Sequence, residues 1–358
     1  MNSLDLSKVL REFNIENDIQ AYGNGHINDT YCSDPTKYII QRINTSVFTD
    51  PYALMENIEN VTAFLGEKIK AEGGNPKRET LTVIKTGNGE NCYKLDDNNY
   101  FRVYRFIGDT KTIEDDKTLD DLYEAGRGFG KFQQMLADFP VEKLHETIKD
   151  FHNTPKRVEA LKTAIAEDKA GRASSVQAEI EFALEKAAFA DTVVKGMEAG
   201  HIPVRVTHND TKINNILFDA VTGKAVAVID LDTVMPGSML YDFGDALRMG
   251  GSTAAEDEPD TSKIKFDKEC FKYFADGYLS EMKDVLTPME LELLPFSAKL
   301  LTYECGIRFL TDYLNGDTYF KIHRENHNLD RCRSQFKLVA EIEAMEDELK
   351  AIVKNLVK

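Results

Sequence analysis

The chain has 358 residues, 42% of them hydrophobic, and Asp and Glu outnumber Lys and Arg by 61 to 44 for a net charge of -17. That length suffices for two lobes with their own cores. The acidic balance argues against nucleic acid or an anionic membrane as the main partner, since both need clustered cations. Five scattered cysteines with no C-x-x-C pair read as free thiols of a reducing, cytoplasmic compartment, and their spacing suits neither a disulfide framework nor zinc. Neither a secretory signal nor an apolar run near the ~20 residues of a membrane span is visible. Small molecules are the expected partners, and a monomer is expected.

In chain order, residues 3–13 carry an amphipathic helical pattern. Tyr22-Gly23-Asn24-Gly25-His26-Ile27-Asn28 reads as a glycine-bearing turn into a strand, and residues 38–43 as a second strand rich in β-branched and aromatic side chains. Asp50-Pro51 opens a helix with Leu54, Met55, Ile58, Val61 and Leu65 on its apolar face. Three strands follow near 81–84, 92–95 and 100–106, divided by Gly87-Asn88-Gly89 and Asp96-Asp97-Asn98-Asn99. Beyond Gly108 helical patterns dominate, at about 118–137, 155–169, 174–199, 266–282, 290–313 and 334–356. Short strands interrupt them near 204–207, 216–218 and 225–230, and 251–263 reads as an exposed loop. The expected division is a strand-rich lobe over 1–107 and a helical lobe over 108–358.

The most informative stretch is His208-Asn209-Asp210-Thr211-Lys212-Ile213-Asn214-Asn215, followed by the apolar run 225–229 that ends in Asp230. H-x-D-x-x-x-x-N followed by a strand-end Asp is the base-and-metal spacing of kinase-type phosphoryl transfer. One carboxylate accepts a hydroxyl proton, an amide oxygen meets Mg2+, and a second carboxylate meets the same cation. Taken singly, Asp210 could be a turn or cap residue and Asp230 turn chemistry; the joint spacing favours the functional reading. His208 reads as a loop-fixing residue rather than a reacting one. Asp232 would share a side with Asp230 if the segment is extended, which makes it a supporting acid.

Together, the strand-rich lobe, the helical lobe and this loop resemble the aminoglycoside phosphotransferase/choline kinase branch of the protein-kinase-like fold, and within it the N-acetylhexosamine 1-kinases. The matching stretches include residues 22–30, 38–44, 56–62, 145–155, 208–215, 229–237 and 241–245. The resemblance implies an α+β, bilobal fold with a small antiparallel sheet and one main helix ahead of a larger, mostly helical lobe. It implies ATP and Mg2+ as cofactors, Asp210 as the catalytic base, and Asn215 and Asp230 as metal ligands. Gly23, Gly25, His26 and Asn28 become the nucleotide loop, although Gly-x-Gly alone is most often only a hairpin turn.

Arg42 stands where relatives place a phosphate-holding Lys, with Glu56 as its partner; alternatively Arg42 faces the acceptor and another cation serves ATP. Tyr104 and Phe106 fall at the adenine-binding hinge. Asn209 stands where many relatives carry Gly, and with Tyr303, Arg308 and Tyr319 it is expected to face the acceptor, an N-acetylhexosamine such as GlcNAc or GalNAc. Choline, homoserine or an aminoglycoside are competing acceptors on the same fold, and a catalytically dead nucleotide-binding scaffold is the competing class.

Overall fold

A computed structural model describes residues 6–23, 28–114 and 116–358. The chain divides into two compact units. The first comprises Met1–Ile113, Met135–Lys149 and Asn214–Pro236, and the second comprises Glu114–Gln134, Asp150–Ile213 and Gly237–Lys358. A single cut near residue 107 therefore gives way to a division in which two later segments return to the first unit.

The first unit is built on a six-stranded antiparallel sheet. Its central pairing sets Tyr38–Ile43 against Asn99–Arg105, with Gln41 opposite Arg102 and Arg42 opposite Phe101. Side chains alternate across a pleated strand, so Gln41 and Arg102 share one face and Arg42 lies on the other. Val9, Phe13 and Ile15 pack with Ile40, Phe101 and Val103 into one core. Each such fully buried aliphatic side chain contributes about 1.5–3 kcal/mol.

The helix Pro51–Ala71 begins where Asp50 accepts hydrogen bonds from Tyr52 N and Ala53 N, with Pro51 in the first turn. Its buried Asn57 explains why the later segments return. Asn57 Nδ2 donates to the carbonyls of His145 (2.8 Å) and Val234 (3.0 Å), and its Oδ1 accepts from His145 N. A second antiparallel sheet also joins them: Ile216–Asp219 lies between Ala225–Val228 and the short strand Thr110–Lys111.

In the second unit the longest helix, Pro288–Leu314, starts with a Thr287–Glu290 capping box and Pro288. Leu161, Ala183, Tyr303, Ile307, Leu310, Cys332 and Val339 form part of its core. Two expected helices are each broken. The 174–199 pattern splits into Gln177–Lys186 and Thr192–Glu198, and the intervening turn sets Phe189 edge-on against Phe296 and Tyr303. The 334–356 pattern becomes His327–Ala344 and Glu346–Leu356, parted at Met345, whose φ of -114° and ψ of 16° leave the helical region. No helix among the described residues is long and apolar enough to cross a membrane, and the five cysteines are free.

Candidate active site

The loop that carries Asp210 lies in the second unit, and a buried carboxylate holds it. Asp242, on the helix Met239–Gly250, accepts the backbone N–H groups of His208 (2.8 Å) and Asn209 (2.7 Å). It also accepts Nε2 of Gln133 at 2.5 Å. Gln133 Oε1 receives the hydroxyl of buried Tyr278, which fixes the amide's orientation. One helical turn on, Asp245 Oδ2 accepts Thr211 N at 3.1 Å, while the Thr211 hydroxyl donates to the Asp242 carbonyl at 2.6 Å. Burial pushes the Asp242 carboxyl up, opposed by His208, the two backbone donors and Gln133.

His208 is fully buried and meets Phe129 and Phe132 edge-on at 5.8 and 6.0 Å. Asp210 N donates to its Nδ1 at 3.2 Å, so this bond network assigns the ring proton to Nε2. Asn209 adopts φ 64°, the left-handed conformation that Asn tolerates better than most residues other than glycine. With its backbone held on both sides, Asp210 keeps a carboxylate 29% exposed, 3.0 Å from Lys212 Nζ.

The expected metal ligands come together within the first unit. Val228 pairs with Ile216, and Ile229 N donates to Asn215 O at 2.8 Å, so the ladder brings Asn215 and Asp230 to the ends of neighbouring strands. Asn215 is buried, whereas Asp230 is exposed and left-handed at φ 59°, ψ 58°. An amide oxygen and a carboxylate suit a hard divalent cation that keeps water and phosphate in its other positions, as Mg2+ does. No group of three His, Cys, Asp or Glu side chains able to hold a metal occurs among the described residues.

Directly after Asp230, the turn Leu231–Thr233 inserts Asp232 into the sheet. Asp232 and Arg102 form a two-pronged ion pair, with Arg102 Nη2 2.9 Å from Oδ2 and Nη1 on Oδ1. Their side chains are 6% and 1% exposed. Asn28 Nδ2 donates to the same carboxylate at 2.7 Å, and Arg102 Nε donates to Gln41 Oε1 at 3.0 Å. Burial disfavours the charge on Arg102, but the attraction of Asp232 outweighs it and holds the guanidinium more firmly protonated.

The remaining expected positions are distributed as follows. Gly23 is left-handed at φ 73°, while Gly25 and His26 lie outside the described residues. The amide of Asn28 serves Asp232 and, through Oδ1, Asn44 N. The expected Arg42–Glu56 pair is not made. Arg42 donates to Asp29 (2.7 Å) and Asn99 (3.0 Å), and exposed Glu56 meets His145 Nε2 at 2.8 Å. Sequence reading missed the cation that reaches the Asp230 turn, because which strand residue lies opposite Gln41 is a matter of pairing. The available signal was a lone Arg102 inside the apolar run Tyr100–Tyr104. Tyr104 is buried with Arg102 over its ring at 5.3 Å. Phe106 packs edge-on to Tyr22, and its N–H donates to the Lys37 carbonyl.

In the second unit, Arg308 lies over the rings of Phe151 (5.9 Å) and Phe320 (5.5 Å). Tyr319 is 71% exposed, on a turn whose N–H groups at Thr318, Tyr319 and Phe320 donate to Asp312. Tyr303, expected on a pocket wall, is a core residue instead. It is fully buried with its hydroxyl donating to the Ala183 carbonyl, because its helix position faces the Leu161–Val339 cluster. Beneath Arg308, buried Glu304 meets His152 Nδ1 at 2.8 Å and the Thr154 hydroxyl at 2.6 Å. Burial would raise its carboxyl, but His152 and Arg308 hold it below the usual range. Sequence reading did not single out Asp242, Gln133, Glu304 or His152 as site residues.

Comparison with known proteins identifies the family. Residues 18–274 match the model of the phosphotransferase enzyme family (APH). Among solved structures, a microcompartment-associated aminopropanol kinase is similar at 17% identity, covering 94% of each chain with a TM-score of 0.63. An aminoglycoside phosphotransferase from Alicyclobacillus acidocaldarius has 10% identity, covers 99% of this chain and 98% of its own, and gives a TM-score of 0.64. An amicoumacin kinase, solved with AMP-PNP, Ca2+ and its antibiotic, has 15% identity, 91% and 88% coverage and a TM-score of 0.57. The chain belongs to the phosphotransferase enzyme family, and is a small-molecule kinase on the protein-kinase-like fold.

Proposed function

We propose that the protein transfers the γ-phosphoryl group of ATP to the anomeric hydroxyl of an N-acetylhexosamine, GlcNAc or GalNAc, as a cytoplasmic monomer. The observation that carries this reading is the Asp210 loop. Its backbone is fixed on both sides by Asp242 and Asp245, yet its carboxylate remains accessible. A base must be held while its proton acceptor stays open to substrate. Asp210 takes the proton of the acceptor hydroxyl as that oxygen bonds to the γ-phosphorus. The bond from phosphorus to the β,γ-bridging oxygen breaks, and ADP departs with its electron pair. Asn215 and Asp230 are the residues that would hold Mg2+, which when bound offsets charge on the β- and γ-phosphate oxygens. Lys212 Nζ lies 3.0 Å from the Asp210 carboxylate.

A hydroxyl-rich acceptor is supported by the hydrogen-bond donors around Arg308. Burial and then the neighbouring Arg308 lower the pKa of Arg157, so two arginines share this region. Their guanidinium donors suit the hydroxyl and amide oxygens of a sugar, with Glu304 and Asp150 offsetting their charge. Asn209 adds an amide beside Asp210. The test is a coupled ADP-release assay with GlcNAc, GalNAc, glucose, choline, aminopropanol and kanamycin, with 31P NMR of the product. Turnover of an N-acetylhexosamine to its 1-phosphate is expected. Turnover of an amine-bearing alcohol with silence on both N-acetylhexosamines would overturn the acceptor assignment.

A further inference from the structure

We propose that Arg102 and Asp232 are positioning residues for Asp230, and that Asn28 belongs to the same device, holding Asp232 rather than the nucleotide. The inference rests on the reading of Asp230 as a ligand of the nucleotide's metal. It needs no particular acceptor.

A buried ion pair is a poor source of stability, since desolvating both charges offsets most of their attraction. Apolar side chains in this sheet would serve folding at least as well. What the pair supplies is a fixed place and direction, because a guanidinium fork matches a carboxylate in one geometry. That geometry falls two residues after Asp230. Asp230 itself is left-handed, a conformation uncommon for a residue with a Cβ, though Asp adopts it more readily than most. Such a conformation persists only where its surroundings over-determine it.

The surroundings here are explicit. On one side Ile229 N is bonded to Asn215 O. On the other, Leu231 is buried and Asp232 is held by Arg102 and Asn28. Arg102 is in turn held by Gln41, whose Nε2 donates to the Thr30 hydroxyl, and by Tyr104 beneath it. Release of the clamp lets Asp230 leave its left-handed conformation, which redirects its carboxylate. Asn28 spans this turn and the Asn44 backbone, so it ties the segment after the glycine-bearing turn to the same carboxylate.

The experiment is calorimetric titration of ADP at a series of Mg2+ concentrations, on wild type, Arg102→Lys, Arg102→Met and Asn28→Ala, with steady-state kinetics alongside. The binding readout is independent of the acceptor, so an incorrect acceptor leaves it interpretable, whereas wild-type ADP binding that ignores Mg2+ points to failure of the metal reading itself. For Arg102→Met the Mg2+ concentration at half-effect rises at least tenfold and kcat falls at least tenfold, while acceptor KM stays within twofold. Arg102→Lys, which keeps the charge without the fork, falls between. Asn28→Ala shifts the Mg2+ midpoint about threefold, and decides the matter if Arg102→Met does not fold. A merely structural role would lower the melting temperature and the active fraction but leave the Mg2+ midpoint at its wild-type value. That result in the folded variants would overturn the proposal.

Discussion

Asp242 and His208 are 34 residues apart in sequence, yet the Asp242 carboxylate receives the His208 backbone N–H at 2.8 Å in a fully buried site. Both Asp242 oxygens are engaged: Oδ2 takes His208 N and Gln133 Nε2, and Oδ1 takes Asn209 N. The loop's geometry is thus set from a helix behind it, not by its own turn propensity.

Asp242→Asn should therefore damage activity more than its size suggests. An amide presents N–H where a donor already points, leaving at least one buried donor unpaired at about 1–3 kcal/mol. The loop then shifts, and displacement of a catalytic group by about 1 Å lowers turnover roughly 100-fold. Steady-state kcat together with thermal melting measures both parts. Wild-type kcat in a folded Asp242→Asn protein would refute the clamp.

Asp210→Asn should behave in the opposite way. Its ion pair with Lys212 is partly solvent-exposed, and such pairs contribute about 0–1 kcal/mol, so melting should scarcely change. Loss of the base should lower kcat by about 10²–10⁴-fold with nucleotide binding retained. ADP release and calorimetric ADP binding on the same preparation check this.

Asn209 separates backbone need from side-chain contact. Glycine fits φ 64° without strain, so Asn209→Gly should fold normally, whereas Asn209→Ala should lose about 1 kcal/mol or more. If the amide touches the acceptor, Asn209→Gly raises acceptor KM several-fold and leaves the Mg2+ dependence unchanged. Steady-state kinetics with acceptor and Mg2+ varied in turn reads both, and an unchanged KM would remove Asn209 from the acceptor contacts.

Asp219 provides a pH-dependent test of the first unit. Its carboxyl is pulled from 3.8 to about 2 by the Thr222 backbone and side chain, then by Val221 N, with Arg78 adding to this. A depressed folded value means that this group stabilises the fold above its unfolded pKa. That contribution is lost as pH falls from about 4 toward 2. Melting temperature followed over that window should fall less steeply for Asp219→Asn than for wild type. Parallel acid limbs in the two proteins would contradict the assignment.

Several features were legible in the sequence because they are local. The strand-rich and then helical segments followed from hydrophobic period, and the helix start at Pro51 from proline chemistry. The expected neighbours Asn215 and Asp230 lie at the ends of strands that short apolar runs already marked. The breaks at Ala187–Asp191 and Met345 were not legible, because the packing of Phe189 and the chain's turn after Ala344 override favourable helix propensity.

By itself, then, the order of residues determined which groups could act: the His208-to-Asn215 spacing, the acid that ends the next strand and the absence of a metal-binding cysteine pattern. Those depend on covalent neighbours and on short-range backbone preference. Tertiary structure brought Arg102 to the turn that follows Asp230, because strand pairing put it on the Gln41 face, and gave Arg42 to Asp29 and Asn99 instead of Glu56. It also withdrew Tyr303 into the core and made Asp242 the anchor of the loop. Partnership between residues distant in sequence is set by how surfaces pack, and a linear pattern of side chains does not encode it.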